Sequence, residues 1–317
     1  MFEEKVKPKI LTIGALAMDI VIEAPILPKD DEFALIGSEK LVPGGSSSNV
    51  SVALSKMGIE VFQTGQIGDD KFGHVFENDL LKNGVNTKYL IKKENGTTLH
   101  TYIMTATKGK HCIFANLGDS VNTLSKESLE EDILDGCTCF YADMYSPDAT
   151  LWIAEKARKR NIPVVFNMQN VPSFLKACGI EESALNKMLS LCTLFIAGKN
   201  VYKELTGQDS IKLGMQELAN KFNVRDGVIC TAGKNGAYWL YENKLLNQES
   251  FAIEPVDTTG AGDCFSAGII FDFYCRMNSK QNALVFASAI ASLKCGIKGP
   301  RFKSNLNEIE KFIKNNK

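Results

Sequence analysis

Four short apolar runs, Thr138 to Ala142, Val164 to Asn167, Leu194 to Ala197 and Val228 to Thr231, are separated by amphipathic stretches such as Ala149 to Arg160 and Met215 to Phe222. Runs this short and this apolar suit strands buried on both faces. A helix between successive strands then requires a parallel sheet covered on both sides, with ligands gathered at the carboxyl ends of the strands. The expected fold is α/β: a three-layer α/β/α domain with a mostly parallel central sheet, one domain over residues 1–317.

The first strand is Lys9-Ile10-Leu11-Thr12-Ile13-Gly14, and Asp19 follows at a strand end. A dinucleotide fold would place GxGxxG directly after this strand, but Gly14-Ala15-Leu16-Ala17 stands there instead. No GxxxxGK[ST] occurs anywhere in the chain, so a P-loop kinase is also a poor fit. With 317 residues, 44% of them hydrophobic, and a net charge of -1, a large core is expected. Nothing in that balance draws the chain to nucleic acid or to an anionic membrane. Residues Met1 to Lys9 are charged and every apolar stretch is interrupted, as at Asp272, so a cytoplasmic location is expected. The nine cysteines form no CxxC pair; Cys137 and Cys139 are one residue apart, and buried reduced thiols are the reading.

The polar motifs fall at strand ends. Val256-Asp257-Thr258-Thr259-Gly260-Ala261-Gly262-Asp263 turns a strand end into a helix N-terminus, where unpaired N–H groups and the helix dipole favour an anion. Asp263 is itself negative, so either it caps the helix or it accepts a proton from an attacking hydroxyl during phosphoryl transfer. Pro43-Gly44-Gly45-Ser46-Ser47-Ser48-Asn49 opens a helix continued by Val50, Val52, Ala53, Leu54 and Met57. Its uncharged donors and acceptors suit a polyol. Gly65-Gln66-Ile67-Gly68-Asp69-Asp70-Lys71-Phe72-Gly73 is a second glycine-punctuated turn, leading into a helix from Val75 to Asn83.

Thr97 to Thr105 alternates as a half-buried strand, Lys108-Gly109-Lys110 is turn-like, and His111 to Asn116 returns as a hairpin. Extended residues within 20–42 together with 97–117 are expected to form a small sheet covering the site against water. His100 reads as a residue of this cover rather than as a catalyst. Thr231-Ala232-Gly233-Lys234-Asn235-Gly236 follows its strand with a hydroxyl and glycines where a nucleotide phosphate could lie, although an ordinary turn would look the same.

Gly44-Gly45 through Asn49, Gly65-x-x-Gly68-Asp69-Asp70-x-Phe72-Gly73, Thr231-x-Gly233-x-x-Gly236 and Asp257 through Asp263 occur in the order and spacing of the ribokinase-like, or PfkB, carbohydrate kinase family. The resemblance covers roughly Lys9 to Ile313. It implies a β-sheet lid and transfer of the ATP γ-phosphate to a primary alcohol of a sugar or nucleoside, with Mg²⁺ bridging phosphates. Carried over residue by residue, Asp263 resembles the catalytic base and Gly260, Ala261 and Gly262 the anion hole. Asp19, Gly44, Gly45, Ser46 and Asn49 resemble sugar ligands, with Tyr102 and Tyr145 nearby; Thr231, Gly233, Gly236 and Gly262 resemble the ATP site. Asp257, Thr259, Ala291 and Gly296 resemble the monovalent-cation (K⁺) loop of part of the family. A homodimer paired through the lid strands is the expected protein partner.

Departures bear on substrate and metal. The family's NxxE motif before Leu205-Thr206-Gly207 is replaced, with Gly198 and Val201 in its two places and Asn200 and Glu204 nearby. Ala17, Ser46 and Tyr145 stand where ribokinase carries asparagine, lysine and glutamate. Neither the hairpin nor Asn167-Met168-Gln169-Asn170-Val171 contains the arginine that would fork onto a phosphorylated or carboxylated sugar. A neutral pentose or hexose is the expected acceptor. The alternatives are a nucleoside, stacked on Tyr102, Phe114 or Tyr145, and a sugar- or nucleotide-binding regulator without catalysis.

Overall fold

A computed structural model describes residues 7–106 and 111–316. The chain opens with β1 (Lys9–Ile13), β2 (Ala17–Glu23), β3 (Ser38–Gly44), α1 (Ser46–Lys56), β4 (Glu60–Gln63), β5 (Gly65–Gly68) and α2 (Lys71–Lys82). Next come β6 (Leu90–Lys93), β7 (His100–Thr105), β8 (His111–Asn116), β9 (Cys139–Ala142), α3 (Pro147–Lys159) and β10 (Val164–Met168). They are followed by α4 (Pro172–Ala177), α5 (Glu182–Leu191), β11 (Leu194–Gly198), α6 (Lys199–Thr206), α7 (Ile211–Phe222) and β12 (Val228–Thr231). The last elements are β13 (Ala237–Tyr241), β14 (Lys244–Gln248), α8 (Ala261–Ile269), α9 (Lys280–Cys295) and α10 (Leu306–Asn315).

The main sheet has eight strands in the order β14-β13-β12-β11-β10-β9-β1-β4. From β12 to β4 every pairing is parallel, and β13 and β14 close one edge as antiparallel strands. Because side chains alternate across a strand, each parallel strand feeds two cores. Leu11, Phe140, Phe166 and Phe195 face one layer of helices, which includes α3, α5 and α7. Ile10, Tyr141, Val165 and Ile196 face the other, which includes α1, α8 and α9. This is the expected mostly parallel three-layer α/β/α arrangement.

The lid is a separate four-stranded sheet in the order β3-β2-β7-β8. Its first two strands begin three residues before and end two residues after the span expected, so Asp19 and Gly44 belong to the lid itself. β2 leaves β1 after three residues and β3 delivers the chain to α1, which ties the lid to the carboxyl edge of the main sheet. The hairpin of β7 and β8 pairs from His100 opposite Asn116 to Thr105 opposite His111. The expected Lys108-Gly109-Lys110 turn lies outside the described residues.

The motif from Gly65 to Gly73 has a mechanical use. Asp70 caps α2, its Oδ1 accepting the Gly73 N–H at 2.7 Å, while its Oδ2 accepts the Thr98 N–H at 2.9 Å. The Thr98 hydroxyl donates to the same carboxylate and accepts the Gly68 N–H. One carboxylate therefore caps a helix and fixes the root of β7, so the entry of the lid hairpin is set by the main body. All nine cysteines are free, and no helix among the described residues is long and apolar enough to cross a membrane.

Candidate active site

At the carboxyl ends of the strands the chain brings Asp263 beside residues from three distant segments. Asp263, in the first turn of α8, is 6% exposed. Its Oδ2 accepts the Asn49 amide of α1 at 2.7 Å, and its Oδ1 accepts the Gln169 amide, just after β10, at 2.8 Å. Burial pushes the carboxyl up to about 7; the two amide donors and Arg301 pull it down, and nearby Asp143 pushes it further up. A carboxyl whose affinity for a proton lies near neutrality can take one from an alcohol and return it, which capping alone does not require.

The Asn49 amide is itself oriented. Arg301 donates through Nη1 to Asn49 Oδ1 at 3.0 Å and to Ser48 Oγ at 2.7 Å, while Nε and Nη2 reach Asp79 Oδ2 at 3.1 and 2.8 Å. With its oxygen held by a guanidinium, Asn49 can only turn its NH₂ toward Asp263. Arg301, Asp79 and Gln169 escaped the sequence reading. Gln169 lies within a stretch searched only for arginine, and Arg301 is 38 residues beyond Asp263, so no local spacing marks either of them.

Asp19 lies on β2 of the lid, close enough to Arg301 to feel its charge. Thr101, its partner in register on β7, donates its hydroxyl to Asp19 Oδ1 at 2.5 Å. Burial raises the Asp19 carboxyl, and the Thr101 bond and Arg301 only partly offset it. Gly44 lies so close that an added Cβ would sit 2.7 Å from Asp19 Oδ2. Gly45, at φ +89°, would place a Cβ 2.3 Å from the Ala15 carbonyl oxygen, so only glycine lets α1 begin here.

The serine-rich stretch is absorbed by the protein more than expected for a polyol surface. Ser47, Ser48 and Ser51 are buried, Ser48 donates to the Gly44 carbonyl at 2.6 Å, and Ser51 bonds Gln63 at 2.7 Å. Ser46, expected to touch sugar, donates its hydroxyl to Asp143. Asp143 follows β9, is 1% exposed, and also accepts the N–H groups of Ala15 at 2.9 Å and Tyr145 at 3.3 Å. Burial pushes its carboxyl up to about 6. An acid at the end of a buried strand was the available signal for Asp143.

Two tyrosines part company. Tyr145 is buried in the core with its phenol against the side chains of Asn170 and Cys178, and burial pushes that phenol well up. Its backbone is held between Met144 and Ser146, both at left-handed φ values of 77° and 65°. Tyr102, on β7, is 39% exposed and meets the His100 ring edge-on at 5.6 Å. His100 packs in turn against Phe72 and bonds the Thr98 carbonyl, as a residue of the cover should.

A cavity of about 570 Å³ opens on the other side of α8, and Thr231, Gly233, Gly236 and Gly262 all line it. A Cβ built on Gly262 would meet nothing within 4 Å, so backbone can be approached closely there. Ala261 donates to the Thr258 carbonyl at 3.1 Å within the turn, and Gly260 takes φ +79°. The first N–H groups of α8 precede intrahelical bonding and face charge favourably. Asn167 holds the Ser266 hydroxyl at 2.8 Å, which donates to the Gly262 carbonyl at 3.1 Å, so β10 fixes where this helix starts. Ala291 lines the same cavity, whereas Asp257, Thr259 and Gly296 lie in the turns beside it.

A buried acid at the carboxyl edge of a parallel sheet, with a cavity of about 570 Å³ beside a glycine-rich helix start, is an arrangement suited to a phosphotransferase. The chain belongs to the pfkB family carbohydrate kinases, whose family profile matches residues 7–306, and it is an ATP-dependent kinase of that family. It is 28% identical over 312 residues to a ribokinase of Bacillus subtilis (strain 168), covering 96% of this chain and 99% of the relative. It is 24% identical over 306 residues to an ATP-dependent ribose-1-phosphate kinase of Halopiger xanaduensis, covering 96% and 98%. The fold superposes on Arabidopsis thaliana ribokinase complexed with ribose and ATP with a TM-score of 0.84 at 22% identity, covering 97% and 99%.

Removing Arg301 leaves Asp79 partly buried without its partner, which typically costs about 3–5 kcal/mol. Arg301→Met is expected to lose about that much in urea unfolding, and Asp79→Leu added to it should recover part of the loss. Equal losses in the single and double variants would show that the pair does not couple.

Proposed function

We propose that this chain phosphorylates a primary hydroxyl of a neutral pentose or hexose, with Asp263 as general base and the turn Gly260 to Gly262 as anion hole. The observation that carries the reading is the buried Asp263 carboxyl, raised to about 7 and aimed by two amides. Asp263 takes the hydroxyl proton as the sugar oxygen forms its bond to the γ-phosphorus of ATP. The bond to the bridging oxygen breaks and ADP leaves, while N–H groups at the start of α8 meet the charge on the transferring oxygens. Asp19, Asn49, Gly44 and Gly45 orient the sugar beneath the lid, and Thr231, Gly233, Gly236 and Gly262 hold the nucleotide.

Magnesium enters as the phosphate complex of the nucleotide. Gly198 and Val201 carry no ligand atom in their side chains, and Glu204 accepts the Ser173 N–H at 2.6 Å at the start of α4. Among the described residues no group of three acidic, histidine or cysteine side chains is placed to hold a metal.

The neutral acceptor follows from charge. Asp143 and Asp263 are buried and Asp19 half-buried around the pocket, and the guanidinium of Arg301 is already committed to Asp79, Ser48 and Asn49. A phosphorylated sugar would enter a field of its own sign. The lid offers Tyr102, Ile113 and Phe114 to solvent, the latter two 56% and 59% exposed. We assign a second copy of the chain to that apolar face.

Five outcomes are expected. With Asp263 raised to about 7, kcat/KM for the sugar should rise with pH and level off above about pH 7, because only the ionised carboxylate accepts the proton. Gln169→Leu removes a donor that stabilises this carboxylate, so its limb should move to higher pH. A limb left in place in that variant would count against Asp263 as the base. In a coupled assay of ADP release, neutral sugars should exceed fructose 6-phosphate and nucleosides by about tenfold or more, and Asp263→Asn should keep sugar binding while turnover drops about a thousandfold. Greater activity on the phosphorylated sugar or on a nucleoside would reassign the substrate. Sedimentation equilibrium should show a dimer that Phe114→Lys converts to a monomer; a monomeric parent chain would remove the assigned partner.

A further inference from the structure

The turn that feeds the anion hole is built around a lysine. Lys294, in the last turn of α9, is 0% exposed, and no other lysine among the described residues is buried. Its Nζ donates to the Ile297 carbonyl at 2.9 Å and to the Asp257 carbonyl at 3.2 Å. The Asp257 carboxylate completes the unit, Oδ1 accepting the Thr259 N–H at 2.9 Å and Oδ2 the Gly299 N–H at 2.8 Å. The Val256 and Asp257 N–H groups both donate to the Cys295 carbonyl, at 2.8 and 3.0 Å. Gly260 is pressed so closely on this segment that an added Cβ would stand 2.3 Å from the Pro300 carbonyl oxygen. Residues 256–260 and 294–300 are thus one body, with an ammonium between their carbonyls and Gly260 to Gly262 leaving from it.

Carbonyl oxygens beside a carboxylate are the ligands a hard cation takes, and a buried charge is tolerated only when so paired. The resemblance places a potassium loop on Asp257, Thr259, Ala291 and Gly296. In this chain the Lys294 ammonium already holds carbonyls of that turn, and a second cation among them would face a like charge at short range. The residues present therefore do not fit a potassium ion. We propose that Lys294 is a built-in cation which takes the ion's place, fixing the anion-hole turn without any monovalent salt. Lys294 does not line the nucleotide cavity, so it is a positioning residue and not a catalytic one.

The test compares the full chain in potassium chloride and choline chloride at equal ionic strength, so that general screening is matched. The parent chain should show the same melting temperature in both salts, and its kcat with MgATP and the best sugar should differ by less than about twofold. Lys294→Ala should melt lower in choline and gain stability saturably with potassium, which binds the folded state only. Its kcat should fall about tenfold in choline and return with potassium or methylammonium, while the sugar KM changes little. A saturable potassium effect on the melting of the parent chain would overturn the proposal, as would Lys294→Ala behaving like the parent in choline. A variant loss that neither cation restores would leave Lys294 a packing residue only and would overturn it equally. Lys294→Met, which keeps the length of the stem, replaces Lys294→Ala in the same salts should the latter fail to fold. The melting arms need no substrate, so they stand whichever sugar the enzyme takes.

Discussion

Everything in the pocket depends on keeping one carboxylate ionisable where water hardly reaches it. Burial pushes the Asp263 carboxyl up, and the Asn49 and Gln169 amides with Arg301 pull it back, leaving it at about 7. Those amides come from α1 and from the end of β10, more than a hundred residues apart, so this environment exists only once the sheet order is complete. Arg301 sits behind Asn49 and fixes which end of its amide faces Asp263. The electrostatics of the site are therefore a property of tertiary assembly, with α8 supplying only the acid.

The lid follows from the same geometry. β2 and β3 leave and rejoin the main body within a few residues of Gly14 and Gly45, and Asp143 ties their roots together by accepting the Ala15 N–H and the Ser46 hydroxyl. A Cβ at Gly14 would overlap the Asp143 carboxylate outright, which shows how tightly this junction is closed. Asp19 is carried on the lid and Asp263 on the body, so under the proposed function a sugar held by both would be bound only where the two surfaces meet. Such an arrangement would exclude water from a transferring phosphoryl group that hydrolysis would otherwise claim.

The layers were legible in the sequence because buried parallel strands are short apolar runs, and β9 to β12 fall within a residue or two of those runs. Asp263 and Asn49 stand in glycine-bearing turns that the sequence singles out, and the structure brings the two side chains together. What stayed hidden is polar chemistry without a local pattern. Ser46, Ser47 and Ser48 read as a sugar surface by their density, yet their partners are Asp143, Gln63 and Arg301, set by contacts across 16 to 253 residues. Tyr145 likewise looked like a ring for a base and is packed into the core, because nothing in a single sequence distinguishes a phenol facing a pocket from one facing Asn170. Lys294 carries no local signal at the end of the largely buried α9, and only the fold reveals carbonyls closing on it.

Internal charges of both signs are thus arranged around one helix terminus. On the sugar side the acids Asp19, Asp143 and Asp263 outnumber the single guanidinium of Arg301, which Asp79 already engages. Lys294 does not line the cavity at the start of α8; its ammonium holds the Asp257 and Ile297 carbonyls, while the helix dipole favours an anion at the first turn. Under the proposed reaction an alcohol losing its proton to Asp263 would develop negative charge beside a helix terminus that stabilises anions, where the phosphoryl group would also be held. A neutral acceptor would reach that point without the repulsion that the neighbouring acids would exert on a phosphorylated one.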